Sequence, residues 1–436
     1  MYKDFISVEQ SKPLNGTVEL SGAKNAVLVT IASLILTEGK SKLTNVPNSE
    51  DVKGMCKLLE ELGATTDFDV KNKILIVDTK GITKFSVSQI LMKTMRASVL
   101  VMGPLLAKFG RTEVTLPGGC VIGKRPINYH LKNFRKMGVQ IFQDRAQLCA
   151  TVDKLHSARI VLDYPSVGAT ENILMAATLA EGMTKIVNAA IEPEVLDLIE
   201  ALRKMGAQIS VEIPATIIIQ GVKSLKAIEH EIMVDRLEAG SLLLAAAMTK
   251  GEIYLPTAKP NDMDVFLMKL EDMGHKLEYK DNQNGIRLKG ISNPIAVSFK
   301  TSPYPGFPTD LQAPMMAAQC LATGSCIIEE TVFENRMVHV HELQKMGAVI
   351  NLSGTKAEVI GVEELFGAEV IGTDIRSSMA LVLAGLAAKG QTSVSGLKHF
   401  RRGYDLMENK LKALGAKIDI IEPNLNLESE QNQLNL

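Results

Sequence analysis

The stretch "PEVLDLIEALRKMG" (193–206) sets Val195, Leu198 and Leu202 on one face of an amphipathic helix and then stops at a glycine. Its end, "LRKMGA" (202–207), has five counterparts: "LEELGA" (59–64), "FRKMGV" (134–139), "LEDMGH" (270–275), "LQKMGA" (343–348) and "LKALGA" (411–416). An earlier glycine precedes each, in the series Gly39, Gly110, Gly182, Gly251, Gly324 and Gly390. The plan recurs roughly every 70 residues, with the two glycines of a segment about 25 residues apart. Each segment reads as an apolar helix, a glycine, a short strand, a loop, an amphipathic helix and a second glycine. All twelve glycines are expected at helix C′ positions, where a left-handed backbone suits Gly and strains other residues.

The first helix of a segment differs from the second. "AKNAVLVTIASLIL" (23–36) and "SSMALVLAGLAA" (377–388) are apolar nearly all round, which predicts burial on every side. Strand-rich pieces such as "KILIVDT" (73–79) and "ATIIIQG" (215–221) lie beyond the amphipathic helices. Helix inside, strands and amphipathic helices outside, is an inside-out α/β arrangement. Three segments per domain give two similar domains, with a junction near "IEHEIMVDRLEAG" (228–240). In the second segment a helix over 96–108 and a strand over 112–117 are each about 20 Å long. A tight turn at Gly110 makes them antiparallel, which returns Cys120, Lys124 and Arg125 to the helix start at Arg96. Helix starts offer free N–H groups and partial positive charge.

The bulk numbers narrow the function. In 436 residues, 46% hydrophobic content supports large cores, while 4% aromatic content and no Trp leave few stacking surfaces for bases. A net charge of −1 argues against non-specific nucleic-acid binding. Five cysteines without zinc spacing read as reduced thiols in a cytoplasm. "MYKDFISVEQ" lacks the apolar core of a signal peptide, and "MALVLAGLAA" is about half of a membrane span.

Cations nevertheless collect at the loop and helix ends. Lys24 and Asn25 lie in "SGAKNA", Arg96 in "TMRAS", Lys124 and Arg125 beside Cys120 in "LPGGCVIGKRP", and Asp235 and Arg236 in "VDRLEAG". Asp310 lies in "FPTDLQA", Arg336 in "ENRMVHVHE", Asp374 and Arg376 in "TDIRSS", and Arg401 and Arg402 in "HFRRGY". In a neutral chain this pattern suits a small, multiply anionic ligand held between two domains. Cys120 follows two glycines beside two cations, so its thiolate is favoured. It reads either as a nucleophile or proton donor, or as a small residue in a turn. Asp310 and Asp374 read first as N-caps. Lys24 and Arg96 read as ligand contacts, with solvated surface charge as the alternative. His130, His339 and His341 read as structural hydrogen bonders and His399, beside Arg402, as a weaker site candidate. No residue set suggests a metal, and no GxGxxG follows a strand.

The motifs "LSGAKNA", "MRAS", "LPGGCVIGKRP", "PSVGAT", "DRLEAG", "FPTDLQA", "ENRMVHV", "TDIR" and "HFRRGY", in this order, make the chain resemble the UDP-N-acetylglucosamine enolpyruvyl transferases (1-carboxyvinyltransferases) over essentially residues 5–420. The related shikimate-pathway enolpyruvyl transferase shares their fold but lacks the cysteine loop. The resemblance implies a two-domain inside-out α/β barrel built from six βαβαββ repeats. One domain spans 22–233 and carries the cysteine loop. The other combines 1–21 with 234–422, and 423–436 form a polar tail. It implies small-molecule substrates, phosphoenolpyruvate and UDP-N-acetylglucosamine, bound in the cleft between domains, with no cofactor, metal, nucleic acid or membrane. It carries no signal for oligomeric state. The path is addition then elimination through a tetrahedral ketal. Cys120 is then the acid at C3 of phosphoenolpyruvate or acts in product release, and Asp310 the base at the sugar hydroxyl. Lys24, Arg125 and Arg402 hold the phosphate and carboxylate, with Arg96 and Arg336 nearby. Asn25, Asp374 and the loop at Ser166, Val167 and Gly168 contact the UDP-sugar or the intermediate. Three departures stand out: Arg401 where the family usually has Asp, Tyr164 where some members have Lys, and Val29 for a common Pro. A non-catalytic UDP-sugar-binding paralogue and the shikimate-pathway enzyme are the alternatives.

Overall fold

The computed structural model describes residues 4–89, 91, 96–115, 127–144, 147–279 and 285–422. The chain forms two compact units of mixed α/β structure. The N-terminal unit comprises Leu20–Arg236 with Pro303–Gly306, and the C-terminal unit comprises Met1–Glu19, Leu237–Ser302 and Phe307–Leu436.

In the N-terminal unit, helix Lys24–Ser33 is buried at every position from Ala26 to Ser33. Helix Val167–Ala177 is buried from Ala169 onward. Neither has a polar face to give to solvent, so both lie in the core. Pro193–Met205 behaves as its pattern demands: Val195, Leu198, Ile199 and Leu202 are buried while Leu196 is 41% exposed. Gly206 closes it at φ 108, a left-handed position.

Strands follow one plan. Met183–Val187 pairs antiparallel with Thr216–Gln220, which pairs antiparallel with Gln208–Glu212, while Arg159–Val161 runs parallel to Met183–Val187 at the edge. In the C-terminal unit, Phe299–Lys300, Ser325–Glu329, Lys356–Ile360 and Val349–Ser353 repeat that order and those directions. Among the described residues there are five four-stranded sheets, one three-stranded sheet and one two-stranded sheet. In the sheet containing Glu369–Ile371, Gln391–Ser395 and Lys417–Ile421, the third place belongs to the N-terminal strand Phe5–Glu9. Ile6 and Val8 of that strand are fully buried. The helix Ile375–Ala387, apolar from Met379 onward, lies in the same unit and is buried from Arg376 through Leu386.

Two sequence expectations need correction. The helix expected over 96–108 is a 3₁₀ turn, Arg96–Val101, followed by an α-helix, Met102–Phe109. Pro104 explains the break: lacking an N–H, it fits the first turn of a helix better than its interior. Gly103 beside it packs against the neighbouring helix, where a Cβ would lie 2.2 Å from the Asn172 carbonyl oxygen. Gly251 is the other exception. Eleven of the twelve glycines have positive φ, but here Lys250 takes the left-handed position, at φ 58. Gly251 is needed for space instead, since a Cβ there would sit 2.1 Å from the Leu14 backbone oxygen. That oxygen accepts a hydrogen bond from the Glu252 N–H at 2.8 Å.

These two glycines therefore answer to different tests. Gly206→Ala meets no atom within 4 Å but must adopt the left-handed backbone, at about 1–2 kcal/mol. Gly251→Ala keeps an ordinary backbone but pushes on Leu14, an overpacking cost of about 1–3 kcal/mol, and additionally strains the Leu14–Glu252 bond. Denaturant midpoints should fall for both, and more for Gly251→Ala.

Candidate active site

In the C-terminal unit, Arg336 and Arg376 converge on Asp310. This aspartate lies in the 3₁₀ turn Thr309–Leu311, ahead of helix Gln312–Gln319, and caps neither. Its Oδ1 pairs with Arg336 Nη2 at 2.6 Å and its Oδ2 with Arg376 Nη2 at 2.8 Å. Both arginine side chains are 5% exposed and the carboxylate 25%. Burial pushes the Asp310 carboxyl up, but the Arg376 and Arg336 guanidiniums outweigh it and hold it well below the usual carboxylate range. Arg376 also donates from Nη1 to the Tyr404 hydroxyl at 3.0 Å, which lies 3.1 Å from the Ser241 hydroxyl. Arg336 donates from Nη1 to the Thr309 hydroxyl at 2.8 Å. Among the described residues, its Nε is buried without a hydrogen-bond partner.

Asp374 shares the N-cap expectation with Asp310 and fulfils it. Its Oδ1 accepts the N–H groups of Arg376 and Ser377 at 2.8 and 3.1 Å, and the Ser377 hydroxyl completes a capping box. The cap fixes the first turn from which Arg376 reaches Asp310. His339 is buried beside this group, its Nε2 3.2 Å from Met316 Sδ. Burial brings its pKa down to about 4, against the pull of Asp374 and with the push of Arg336. The imidazole is neutral at pH 7, as a structural role requires. His341 is an exposed neighbour of Gln344.

Arg402 lies in the last turn of helix Leu397–Gly403. His399, one turn earlier, is lowered by burial, then by Lys398 and Arg402, with Asp374 opposing. The departure at Arg401 has its own partner: the side chain is exposed and its Nη1 pairs with Glu422 Oε1 at 2.7 Å.

The N-terminal unit presents a second group. Lys24 opens the buried helix; its backbone N–H donates to Asp235 Oδ2 at 3.3 Å and its Nζ lies 3.5 Å from Asp51 Oδ2. Its side chain is only 11% exposed, so it is not a solvated surface charge. Asn25 next to it is exposed. Ser166 caps the helix that begins with Val167, accepting from the Ala169 N–H at 3.4 Å, and Gly168 faces the His130 ring. His130 Nδ1 lies 3.0 Å from Asn172 Nδ2, a structural hydrogen bond. Arg236 is buried and grips Glu194 with two bonds, at 3.0 and 3.1 Å. Arg96 begins the 3₁₀ turn Arg96–Val101. Cys120, Lys124 and Arg125 lie outside the described residues, as does the tail 423–436.

Among the described residues, no group of three or more His, Cys, Asp or Glu side chains is arranged to hold a metal ion. No helix there is long and apolar enough to cross a membrane. What the arrangement offers chemically is a strongly acidic carboxylate between two buried guanidiniums and a buried lysine at a helix start, groups suited to anionic substrates.

The chain belongs to the EPSP synthase (3-phosphoshikimate 1-carboxyvinyltransferase) family, which matches residues 8–411. It is 48% identical to UDP-N-acetylglucosamine 1-carboxyvinyltransferase 1 of Caldanaerobacter subterraneus subsp. tengcongensis, over 94% of this chain and 98% of that protein. The UDP-N-acetylglucosamine 1-carboxyvinyltransferase of Geobacter metallireducens is 46% identical, over 95% of this chain and 99% of its own. In fold, the chain matches the enolpyruvyl transferase NikO from Streptomyces tendae with a TM-score of 0.87 at 22% identity, covering 97% of this chain and 100% of that one. EPSP synthase from Acinetobacter baumannii matches with a TM-score of 0.75 at 18% identity, with the same coverage.

The residue that sequence reasoning undervalued is Arg376. It was visible beside Asp374, but only the fold brings it to Asp310, 66 positions away. The Asp310 group also dictates an acid response. Its folded pKa lies below the ordinary value, so the ion pairs stabilise the unit above about pH 4 and are lost as pH falls through the lower folded value. Asp310→Asn strands two buried guanidiniums and should cost about 3 kcal/mol at pH 7. The gap between wild type and variant should narrow in acid, as read from denaturant midpoints across pH.

Proposed function

We propose that this chain transfers the enolpyruvyl group of phosphoenolpyruvate to the 3′-hydroxyl of UDP-N-acetylglucosamine, releasing phosphate, as the first committed step of peptidoglycan synthesis in the cytoplasm. The observation that carries the reading is 48% and 46% identity, over nearly the whole chain, to proteins named for carboxyvinyl transfer involving UDP-N-acetylglucosamine. The finer architecture that goes with it is six βαβαββ units in two inside-out domains. The six helix–glycine motifs and the repeated strand order support that architecture.

Addition forms a bond from the 3′-oxygen to C2 of phosphoenolpyruvate while C3 gains a proton. Elimination breaks the C2–O bond to phosphate, C3 loses a proton, and the double bond returns. In this reading Cys120 serves C3, as proton donor or in product release. Lys24, Arg125 and Arg402 hold the phosphate and carboxylate, with Arg96 and Arg336 nearby. Asn25, the loop Ser166, Val167 and Gly168, and Asp374 meet the UDP-sugar, although Asp374 already spends one oxygen on its helix cap. Asp310 is paired by two arginines and is therefore a weak base. Its part is to orient the 3′-hydroxyl and take the proton late, once bond formation to C2 has made that hydroxyl acidic.

Phosphate release tests the reading. Wild type with phosphoenolpyruvate and UDP-N-acetylglucosamine should release phosphate, and shikimate 3-phosphate in place of the sugar should give none above background. Release only with shikimate 3-phosphate would assign the other reaction, and release with neither would leave a non-catalytic binder.

The thiols provide a second test. Burial pushes Cys56, Cys320 and Cys326 up to about 12, and an anionic phosphonate epoxide has little thiolate to find at any of them. Cys120 should be alkylated first, with activity lost in step, as followed by peptide mass mapping. Cys120→Ser should be badly impaired, whereas Cys120→Asp keeps an ionisable proton donor and should retain turnover while escaping the reagent. Labelling of another cysteine first would remove Cys120 from the mechanism.

A further inference from the structure

Behind Arg336 lies a carboxylate that the mechanism above does not use. Glu330, 1% exposed, follows strand Ser325–Glu329. Its Oε1 accepts from the Thr301 hydroxyl at 2.9 Å and from the Val332 and Phe333 N–H groups at 2.8 and 3.1 Å. Its Oε2 accepts from the Thr309 hydroxyl at 2.8 Å. The Thr301 hydroxyl already accepts the Thr331 N–H at 2.9 Å, and the Thr309 hydroxyl already accepts Arg336 Nη1 at 2.8 Å. Each hydroxyl keeps its own hydrogen to donate to Glu330. One side chain thus gathers four hydrogen bonds, two from hydroxyls and two from backbone N–H groups.

Two of those four donors belong to residues that touch Arg336: Thr309 through its hydroxyl, and Phe333, whose ring lies 5.1 Å from the guanidinium carbon. Arg336 has no bond at Nε among the described residues, so Thr309 and Asp310 are the two hydrogen-bonding groups that set its plane. We propose that Glu330 is a positioning residue for the enolpyruvyl transfer, holding Thr309 and Phe333 so that Arg336 is locked against Asp310. The proposal rests on the function read above for its catalytic consequence, though not for the brace itself.

Isosteric changes separate this from a general packing role. In Glu330→Gln the three bonds at Oε1 keep the amide oxygen there and put the NH₂ at the Thr309 end. The Glu330–Thr309 bond must then reverse, in a side chain of the same shape. Thr309→Val removes the bridging hydroxyl, and Thr309→Ser restores it. The charged groups facing Asp310 are Arg336 and Arg376, with His339 and Asp374 behind them. A loosened Arg336 weakens one of the two attractions that hold the carboxyl down.

The experiment has two readouts on the full chain. The first is the ¹³C titration of the Asp310 carboxyl, which needs no turnover. The midpoint should rise in Glu330→Gln and Thr309→Val and stay near wild type in Thr309→Ser. Unmoved midpoints in both disruptive variants overturn the brace whatever the activity. The second is steady-state kinetics with both substrates. Here kcat/KM should fall about 10- to 100-fold in the two disruptive variants, with its acid limb moved to higher pH and melting temperatures near wild type. Thr309→Ser should recover most of the rate, and the double variant Glu330→Gln with Thr309→Val should be no worse than the weaker single. Additive losses, or losses that track melting temperature, overturn the positioning role. An inactive wild type would instead strike the function, leaving the titration to judge the brace.

Discussion

A helix buried on every side can meet solvent only at its ends. Lys24–Ser33, Val167–Ala177 and Ile375–Ala387 are such helices. The candidate residues follow that constraint. Lys24 is the first residue of one helix, Ser166 caps another, and Asp374 and Arg376 hold and open the third. Turning the apolar helices inward leaves the outer helices and sheets to meet solvent. The first turns are then the places left for free backbone N–H groups and charged side chains.

The charges at those ends are bound to one another before any substrate is considered. Arg336 and Arg376 each have 5% of the side chain exposed and share one aspartate. Two cations on one anion leave a positive surplus, and that surplus is what an anionic substrate can meet without the guanidiniums being unpaired when it departs. Lys24 is likewise paired within the protein, one to one, with Asp51. The arrangement keeps buried cations tolerable in the absence of ligand and still attractive to phosphate and carboxylate.

What could be read from the sequence was whatever repeats or is local. The six helix–glycine endings gave the α/β alternation, and helices apolar on all faces announced their own burial. The exceptions arose where a neighbour distant in sequence decided the outcome. Gly251 is dictated by Leu14, and no local pattern near Gly251 mentions that residue. Asp310 and Asp374 look alike in sequence, each ahead of a helix. One becomes a cap and the other an ion-pair centre because Arg336 and Arg376 reach only the first, from positions set by tertiary packing. Glu330 was silent: a glutamate after a strand has no signature, and its role appears only when four donors converge on it. The motif residues of the candidate site were legible through resemblance, not through composition or periodicity.

The strand Phe5–Glu9 adds a consequence of a different kind. It fills an interior place between Gln391–Ser395 and Lys417–Ile421, and Ser7 meets Gln391 across 384 positions of sequence. During synthesis these early residues emerge with no partner strand available. They must stay unpaired while the whole N-terminal unit is made and folded. Only the last segment gives them a sheet, so the longest loop in the chain closes last. The C-terminal unit thus cannot reach its final form as the ribosome proceeds along it. Until it does, a strand with one apolar face and both edges open is exposed to every other chain in the vicinity, which makes the interval before closure the period of greatest aggregation risk.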